Sequence, residues 1–279
     1  MNKFGGNWTV DKMEIVVAYA KAYLTIMNKQ SWVKTLYFDG FAGSGTINSD
    51  TEDEETLKGT ALRILEIESP KPFDTYYFVE KNRRNKNLLE QTIKTHYPNK
   101  STAFVVQEDC NQKMKKMSDF LRKNKNYRAL AFIDPYGMTV NWESIECLKG
   151  LGIDLWILVP TGIGVGRLLT NNGEIDEQWL NRLEIFLGLK KEEIKSHFYK
   201  EHLVTTLFGD TTSIQKEKNT IEKAGLLYKE KLKTVFSYVS DSFVMKNSMN
   251  SIMYHFMMAT NNPAGLKIAN DIIKPKYKL

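Results

Sequence analysis

The chain has 279 residues, of which 42% are hydrophobic and 26% are charged, and its formal net charge is +6. This length and composition predict a soluble globular protein with one large α/β domain or two small ones. No apolar run reaches the roughly 18 residues of a membrane span, and the N-terminus lacks a signal-peptide core, so we expect a cytoplasmic protein without membrane contact.

The first predicted element is an amphipathic helix over residues 10–28. Apolar residues recur there at steps of three and four, and Thr9 is a good helix N-cap. A short apolar strand, 36–38, leads into a glycine-rich turn. The polar stretch 46–58 is expected to be a loop, and a short helix is predicted to start at Thr60.

Strands and helices then alternate up to residue 160. The predicted strands are 75–80, 103–109, 129–137 and 154–160, and the predicted helices between them are 82–96, 111–124 and 142–148. This alternation predicts an α/β fold with a mostly parallel, Rossmann-like sheet and helices on both faces. Ligands of such sheets bind beyond the carboxyl ends of the strands.

The remaining sequence is expected to complete a single domain that spans residues 1–279. Residues 161–203 open with T-G-I-G-V-G-R and continue in amphipathic stretches, which predicts an inserted helical cap. A helix is predicted at about 217–232. Two further strand segments, 236–245 and 251–260, are expected to pair as an antiparallel hairpin.

Acids follow the predicted strands at the point where each strand ends. Asp39, Glu80, Asp109 and Asp134 each end a strand or lie in the turn after it. Because the carboxyl ends of parallel strands share one edge of a sheet, we expect these four carboxylates to line one site. Core packing does not explain such a set.

The cysteines and histidines argue against disulfides and metal sites, whereas the basic residues favour an anionic partner. Cys110 and Cys147 are far apart and match no C-x-x-C pattern, which excludes a disulfide framework and a zinc ribbon. The four histidines form no ligand cluster, so no metal site is expected. Each of the two basic runs, 81–100 and 113–128, is typical of a solvated helix face, but the two together favour DNA or RNA as a partner, whereas residues 50–55 are acidic.

The glycine turn, residues 39–45, has the sequence D-G-F-A-G-S-G. Gly40, Gly43 and Gly45 allow a ligand to approach the backbone closely. The turn matches neither the dinucleotide pattern G-x-G-x-x-G nor a P-loop, which would end in G-K-[ST]. An acid repels a diphosphate but attracts a sulfonium or an ammonium group. Asp39 therefore favours S-adenosylmethionine, which carries both cations and no phosphate.

The other acids fit further parts of such a cofactor. Glu80 is expected to accept hydrogen bonds from both ribose hydroxyls. Asp109 could accept a hydrogen bond from the adenine amino group or, alternatively, cap the following helix. Lys12 could lie across the cofactor mouth or be a solvated lysine. The predicted cofactor-binding residues are Lys12, Asp39, Gly40, Phe41, Ala42, Gly43, Gly45, Glu80 and Asp109.

The segment D-P-Y-G, residues 134–137, is the predicted catalytic motif. Asp134 and the carbonyl group of Pro135 could hold an exocyclic amine, and Tyr136 could pack on a flipped base. The alternative interpretation is a proline turn with a capping aspartate. Carbon-5 cytosine methylation is disfavoured, because it needs a Pro-Cys nucleophile and neither cysteine follows a proline.

These motifs together resemble class I S-adenosylmethionine-dependent methyltransferases, and over nearly the full length their order is similar to the three-Cys-motif partner (TcmP) family. The resemblance is carried by Trp8 and Lys12, by 38–45, 78–80 and 133–137 with Trp142, and by M-M-A-T-N-N-P-A-G at 257–265. It implies a class I methyltransferase sheet, S-adenosylmethionine as cofactor and a partner protein that carries three cysteines. Amino-methyltransferases of nucleic acids usually have [DNS]-P-P-[YFW], whereas here Tyr136 replaces the second proline.

Three functions remain open from the sequence. The first is N-methylation of an exocyclic amine in nucleic acid by in-line transfer, with catalysis mostly by positioning. The second is a non-catalytic, cofactor-binding partner subunit of a cysteine-rich protein. The third is a methyltransferase that acts on a protein or a small molecule.

Overall fold

The structure is a computed structural model that describes residues 7–47, 57–206 and 209–275. The acidic run 50–55 and most of the expected loop 46–58 lie outside the described residues, as does the side chain of Trp8. No helix in the described ranges has the length and apolar content needed to cross a bilayer.

Helices and strands alternate along most of the described chain. The helices are α1 (Asn7–Met27), α2 (Thr60–Leu65), α3 (Arg83–His96), α4 (Cys110–Lys123), α5 (Trp142–Glu146), α6 (Glu177–Leu187), α7 (Lys191–Phe198), α8 (Thr220–Lys233) and α9 (Pro263–Ile273). The strands are β1 (Lys34–Asp39), β2 (Thr46–Ile47), β3 (Leu57–Lys58), β4 (Thr75–Val79), β5 (Ala103–Val106), β6 (Tyr127–Ile133), β7 (Ile153–Val159), β8 (Tyr199–Thr206), β9 (Gly209–Lys216), β10 (Tyr238–Val239), β11 (Phe243–Lys246) and β12 (Ile252–Thr260).

The main sheet has eight strands in the order β10-β12-β7-β6-β1-β4-β5, and β11 also pairs with β12. Strands β5, β4, β1, β6 and β7 are parallel, and β12 runs antiparallel to β7, β10 and β11. The parallel strands thus follow the order 3-2-1-4-5 of doubly wound sheets, with the topological switch point at β1. The predicted fold class, a mostly parallel Rossmann-like sheet with a C-terminal antiparallel hairpin, is confirmed.

Helices cover both faces of this sheet, as the sequence predicts. One apolar cluster packs the sheet against α4 to α8, and the other packs it against α1, α2, α3 and α9. Neighbouring residues of β1 point to opposite sides, so that Phe38 belongs to the first cluster and Tyr37 to the second. All seven residues of β7 are buried, which is typical of a strand covered on both faces.

The structure differs from the expected cap at its end. After β7 the chain makes a π-helical turn, 161–166, and continues through α6 and α7. Residues 199–203 are not helical, because Tyr199 starts β8, which pairs with β9 in an antiparallel hairpin. The β-branched residues of β9, Thr211, Thr212 and Ile214, favour a strand, but the pairing partner is not evident from either segment alone.

The first and the last helix also differ from the prediction. Helix α1 already begins at Asn7, so Thr9 lies inside the helix rather than at its N-cap. Helix α9 was not predicted. Its start has a clear local cause, since the side chain of Asn262 accepts a hydrogen bond from the Ala264 amide (3.0 Å) and Pro263 occupies the first helical position.

A buried polar cluster fixes α1 to the sheet. The Tyr19 hydroxyl of α1 donates to one oxygen of Asp154 on β7 (2.7 Å), and the Thr260 hydroxyl of β12 donates to the other. All three side chains are buried. Because the cluster fixes the middle of α1 to the sheet, it also limits where the N-terminal end of that helix can lie.

We expect Asp154→Ala to lower the free energy of unfolding by about 2 to 4 kcal/mol, because it leaves two buried hydroxyls without an acceptor. Urea unfolding followed by circular dichroism measures this loss. The control, Asp271→Ala on the exposed face of α9, should leave stability unchanged. Equal stability of the two variants would contradict the structural role of the cluster.

Candidate functional site

A pocket of about 150 Å³ lies at the topological switch point of the sheet. Asp39 ends β1, and Asp134 follows directly after the neighbouring strand β6. Both carboxylates line this first pocket, together with the glycine turn, Tyr136 and Lys12 of α1. The pocket is therefore built at the carboxyl edge of the sheet, where ligands of doubly wound folds bind.

A second pocket of about 130 Å³ adjoins the first. Gly40, Glu80 and Asp109 line it, and Phe41 and Tyr136 line both pockets. Taken together, the two pockets are lined by every predicted site residue except Pro135, which is buried. The four acids of the sequence prediction thus lie along one continuous edge.

The glycine turn is held by carboxylates on both sides. The Phe41 amide donates to Asp39 Oδ1 (3.1 Å), and the Gly43 amide donates to Glu80 Oε2 (2.9 Å). Gly43 has a φ of +64°, a left-handed conformation that favours glycine. Among the described residues other than Ala42, Gly43 and Ser44, no heavy atom lies within 4 Å of the position that a Cβ atom of Gly43 would occupy. The absence of a side chain therefore leaves open space beside the turn.

Asp39 is the most buried acid of the site, with 1% of its surface exposed. Burial raises the pKa of this carboxyl to about 7; the Phe41 amide lowers it and the charge of Asp134 raises it further. Asp39 can therefore gain or lose a proton near neutral pH. A cation placed beside it would favour the ionised form.

Glu80 links the glycine turn to the start of α3. Its second oxygen, Oε1, accepts a hydrogen bond from the Asn82 amide (2.7 Å), so both oxygens already have backbone donors. Each carboxylate oxygen has a further lone pair, and Glu80 lines the second pocket. The side chain can thus support the turn and still accept hydrogen bonds from a ligand.

Asp109 caps helix α4, as the alternative interpretation predicted. Its Oδ1 accepts a hydrogen bond from the Asn111 amide (2.9 Å), and its Oδ2 lies 3.6 Å from Lys81 Nζ. The same residue lines the second pocket. Capping and ligand binding are therefore compatible at this position.

Lys12 is buried, with 6% of its surface exposed, so it is not the solvated lysine of the alternative interpretation. Its Nζ forms an ion pair with Asp134 Oδ2. This contact joins α1 to the end of β6 across the first pocket. The pair also lies close enough to Asp39 for the charge of Lys12 to lower the pKa of that acid.

Tyr136 is the exposed part of the predicted catalytic motif. Its surface is 73% exposed, and the glycine that follows, Gly137, has a φ of +65°. Pro135 is buried. The motif therefore presents a carboxylate towards the pocket and an aromatic ring at the pocket mouth.

Sequence reasoning missed residues that reach this edge from later elements. Tyr254 is half-buried on β12; burial raises its pKa, the charge of Asp134 raises it further and that of Arg167 lowers it. Tyr254 therefore lies close enough to Asp134 for the two groups to interact electrostatically, although it does not line either pocket. Only the pairing of β12 with β7 brings Tyr254 there, and the sequence has no local signal for that pairing.

Cys110 lies beneath the glycine turn and is buried. A Cβ atom on Gly40 would lie 2.5 Å from its Sγ. Burial raises the pKa of the Cys110 thiol, so the thiolate is not available as a nucleophile near neutral pH. In the described ranges, no group of three or more His, Cys, Asp or Glu residues could hold a metal ion.

The two basic runs lie on opposite faces of the sheet. Helix α3 packs into one apolar cluster through Leu89, whereas α4 packs into the other through Met114. Several of their lysines already have acidic partners: Lys86–Glu90 (2.8 Å), Lys115–Glu143 (2.8 Å) and Lys116–Glu108 (3.2 Å). The two helices do not form one basic surface, and nucleic-acid binding stays a prediction.

We expect Gly40→Ala to lower the free energy of unfolding by about 1 to 3 kcal/mol, because the new methyl group would overlap Cys110 Sγ and Ile133 Cδ1. Thermal or urea unfolding measures the loss. The matched double variant Gly40→Ala/Cys110→Ala removes one of the two overlaps and should recover part of it. A Gly40→Ala protein as stable as the wild type would contradict the close packing of the turn.

Comparisons with known proteins do not assign the chain to a family. No family model matches it, and no curated protein matches. Solved structures similar to it include Trm1 from Pyrococcus horikoshii in complex with S-adenosyl-L-methionine (11% identity, TM-score 0.39, 93% of this chain and 65% of that one). A second is LPL1258 from Legionella pneumophila (16% identity, TM-score 0.41, 90% of this chain and 96% of that one). A third is an rRNA methylase from Streptococcus thermophilus (11% identity, TM-score 0.29, 66% of this chain and 88% of that one). Likenesses this weak carry no inference about function, and the fold assignment rests on the strand order and pairing.

Proposed function

We propose that this protein transfers a methyl group from S-adenosylmethionine to an exocyclic amine of a nucleic acid. One observation carries the proposal: the buried acids Asp39 and Glu80 line two adjoining pockets at the switch point of a doubly wound sheet. The pockets meet at Phe41 and Tyr136. Such a pair of spaces suits an elongated ligand with two chemically different ends.

The charges of the first pocket suit a cationic ligand without phosphate. Asp39 and Asp134 line it against one lysine, Lys12, so the described lining is net negative when Asp39 is ionised. A diphosphate would be repelled, whereas a sulfonium or an ammonium group would be attracted. The space beside Gly43 allows close approach of a ligand to the backbone.

The second pocket suits the nucleoside end. Glu80 would accept hydrogen bonds from ribose hydroxyls, and Asp109 would accept one from the adenine amino group. Asp39 would stay with the cationic end in the first pocket. When bound there, S-adenosylmethionine supplies an electrophilic methyl group.

The acceptor side is formed by the motif 134–137. The carboxylate of Asp134 would accept an N–H of the amine and orient its nitrogen. The exposed ring of Tyr136 is available to stack on a base that has left its helix. Catalysis would come mainly from holding the amine in line with the methyl group. A cysteine-rich partner protein, implied by the family resemblance, is part of this proposal.

Tritium transfer from labelled S-adenosylmethionine tests the reaction. We expect label on DNA or RNA rather than on cell-lysate protein, and a fall of about 100-fold or more in Asp134→Ala. The surface variant Asp271→Ala is the matched control. Label on protein or on small molecules alone would contradict the acceptor. Cofactor binding without any transfer would instead favour a non-catalytic subunit of a cysteine-rich protein.

Binding of S-adenosylmethionine should strengthen as pH rises. Asp39 is neutral below its pKa of about 7 and ionised above it, and only the ionised form attracts a cation. We therefore expect the affinity to rise by up to about tenfold between pH 6 and pH 8, with release of a proton on binding. Calorimetry of the wild type and of Asp39→Asn separates this proton from those of the ligand. An identical pH dependence in both proteins would contradict the role of Asp39.

A further inference from the structure

The Lys12–Asp134 ion pair occupies the carboxylate that the proposed function assigns to the acceptor amine. Lys12 lies on α1, and Asp134 follows 122 residues later along the chain. Both residues line the first pocket. One oxygen of Asp134 thus already pairs with an ammonium group, whose positive charge offsets that of the carboxylate and weakens its attraction for a second amine.

Among the residues described as lining it, the first pocket has one candidate cationic partner for an anionic group. Among its described lining residues, Lys12 is the single lysine or arginine. Lys81 lines the second pocket instead, is 82% exposed at its side chain and lies beside Asp109. The amino-acid end of S-adenosylmethionine carries a carboxylate as well as an ammonium group. A buried carboxylate needs a charged partner, and in this pocket that partner is Lys12.

We propose that Lys12 exchanges partners during the catalytic cycle: it neutralises Asp134 in the free protein and binds the carboxylate of the cofactor once the cofactor enters. This inference rests on the proposed function. The exchange leaves Lys12 paired in both states, which avoids the cost of an unpaired buried ammonium group. The negative charge of Asp134 becomes uncompensated, and so attracts the acceptor amine, only after the cofactor is bound, which places cofactor binding before acceptor binding.

The surroundings of Lys12 permit such an exchange without moving the helix. The contacts of Tyr19 with Asp154 fix α1 to the sheet. The lysine side chain has a flexible four-carbon stem and a compact charge. Lys12 also acts electrostatically on Asp39 at the other side of the pocket. The proposed change of partner is therefore a rotation of the Lys12 side chain while α1 stays in place.

The test compares the binding of S-adenosylmethionine with that of its decarboxylated analogue, which keeps the sulfonium and an amine but lacks the carboxylate. The preference for S-adenosylmethionine is the dissociation constant of the analogue divided by that of S-adenosylmethionine, and this ratio isolates the carboxylate contact. Lys12→Met should reduce the preference for S-adenosylmethionine by about tenfold or more. Asp134→Asn should increase the preference by about two- to fivefold, because a carboxylate no longer competes for Lys12.

Lys21→Met, on the exposed side of the same helix, is the matched control and should leave the ratio unchanged. Circular dichroism confirms that each variant folds, and Lys12→Gln replaces Lys12→Met if the latter does not. Failure of the wild type to bind S-adenosylmethionine would overturn the proposed function and this inference with it. Wild-type binding with an unchanged ratio in Lys12→Met would overturn the exchange alone. A lower ratio in Lys12→Met, if the ratio does not rise in Asp134→Asn, would also overturn the exchange. Lys12 would then bind the carboxylate of the cofactor without leaving Asp134.

Discussion

A carboxylate buried at the end of the central strand is the constraint on which the site depends. Asp39 ends β1, which lies between β4 and β6, and the neighbouring strands deny it contact with water. Burying a charge is costly unless a partner compensates for it. The raised pKa of Asp39 reflects this cost. When it is ionised, such a group favours a cation over a phosphate in the pocket that it lines.

The rest of the structure supports that arrangement from two directions. Glu80 holds the glycine turn through the Gly43 amide and so keeps the backbone, rather than a side chain, beside the pocket. From the other side, the buried contacts of Asp154 fix α1, and α1 brings Lys12 to the pocket. The glycine turn and α1 thus complete a site that the strand ends alone would leave open.

Much of this could be predicted from the sequence, because its signals are local. The alternation of strands and helices predicts the sheet, and the acids at the strand ends predict its functional edge. The Lys12–Asp134 pair could not be predicted, since it joins residues 122 positions apart. The position of Tyr254 depends on the pairing of β12 with β7, and the placement of the basic helices on opposite faces depends on the crossover geometry. The β8–β9 hairpin was missed for a related reason: a strand is recognised by its partner as much as by its own residues.

The most direct measurement of the central claim is a crystal structure with S-adenosylhomocysteine bound. We expect a ligand that spans both pockets, with its ribose hydroxyls on Glu80, its ammonium group near Asp39 and the ring of Tyr136 beside the sulfur. A ligand bound elsewhere on the molecule, or one bound in the two pockets with its ribose away from Glu80, would contradict this arrangement.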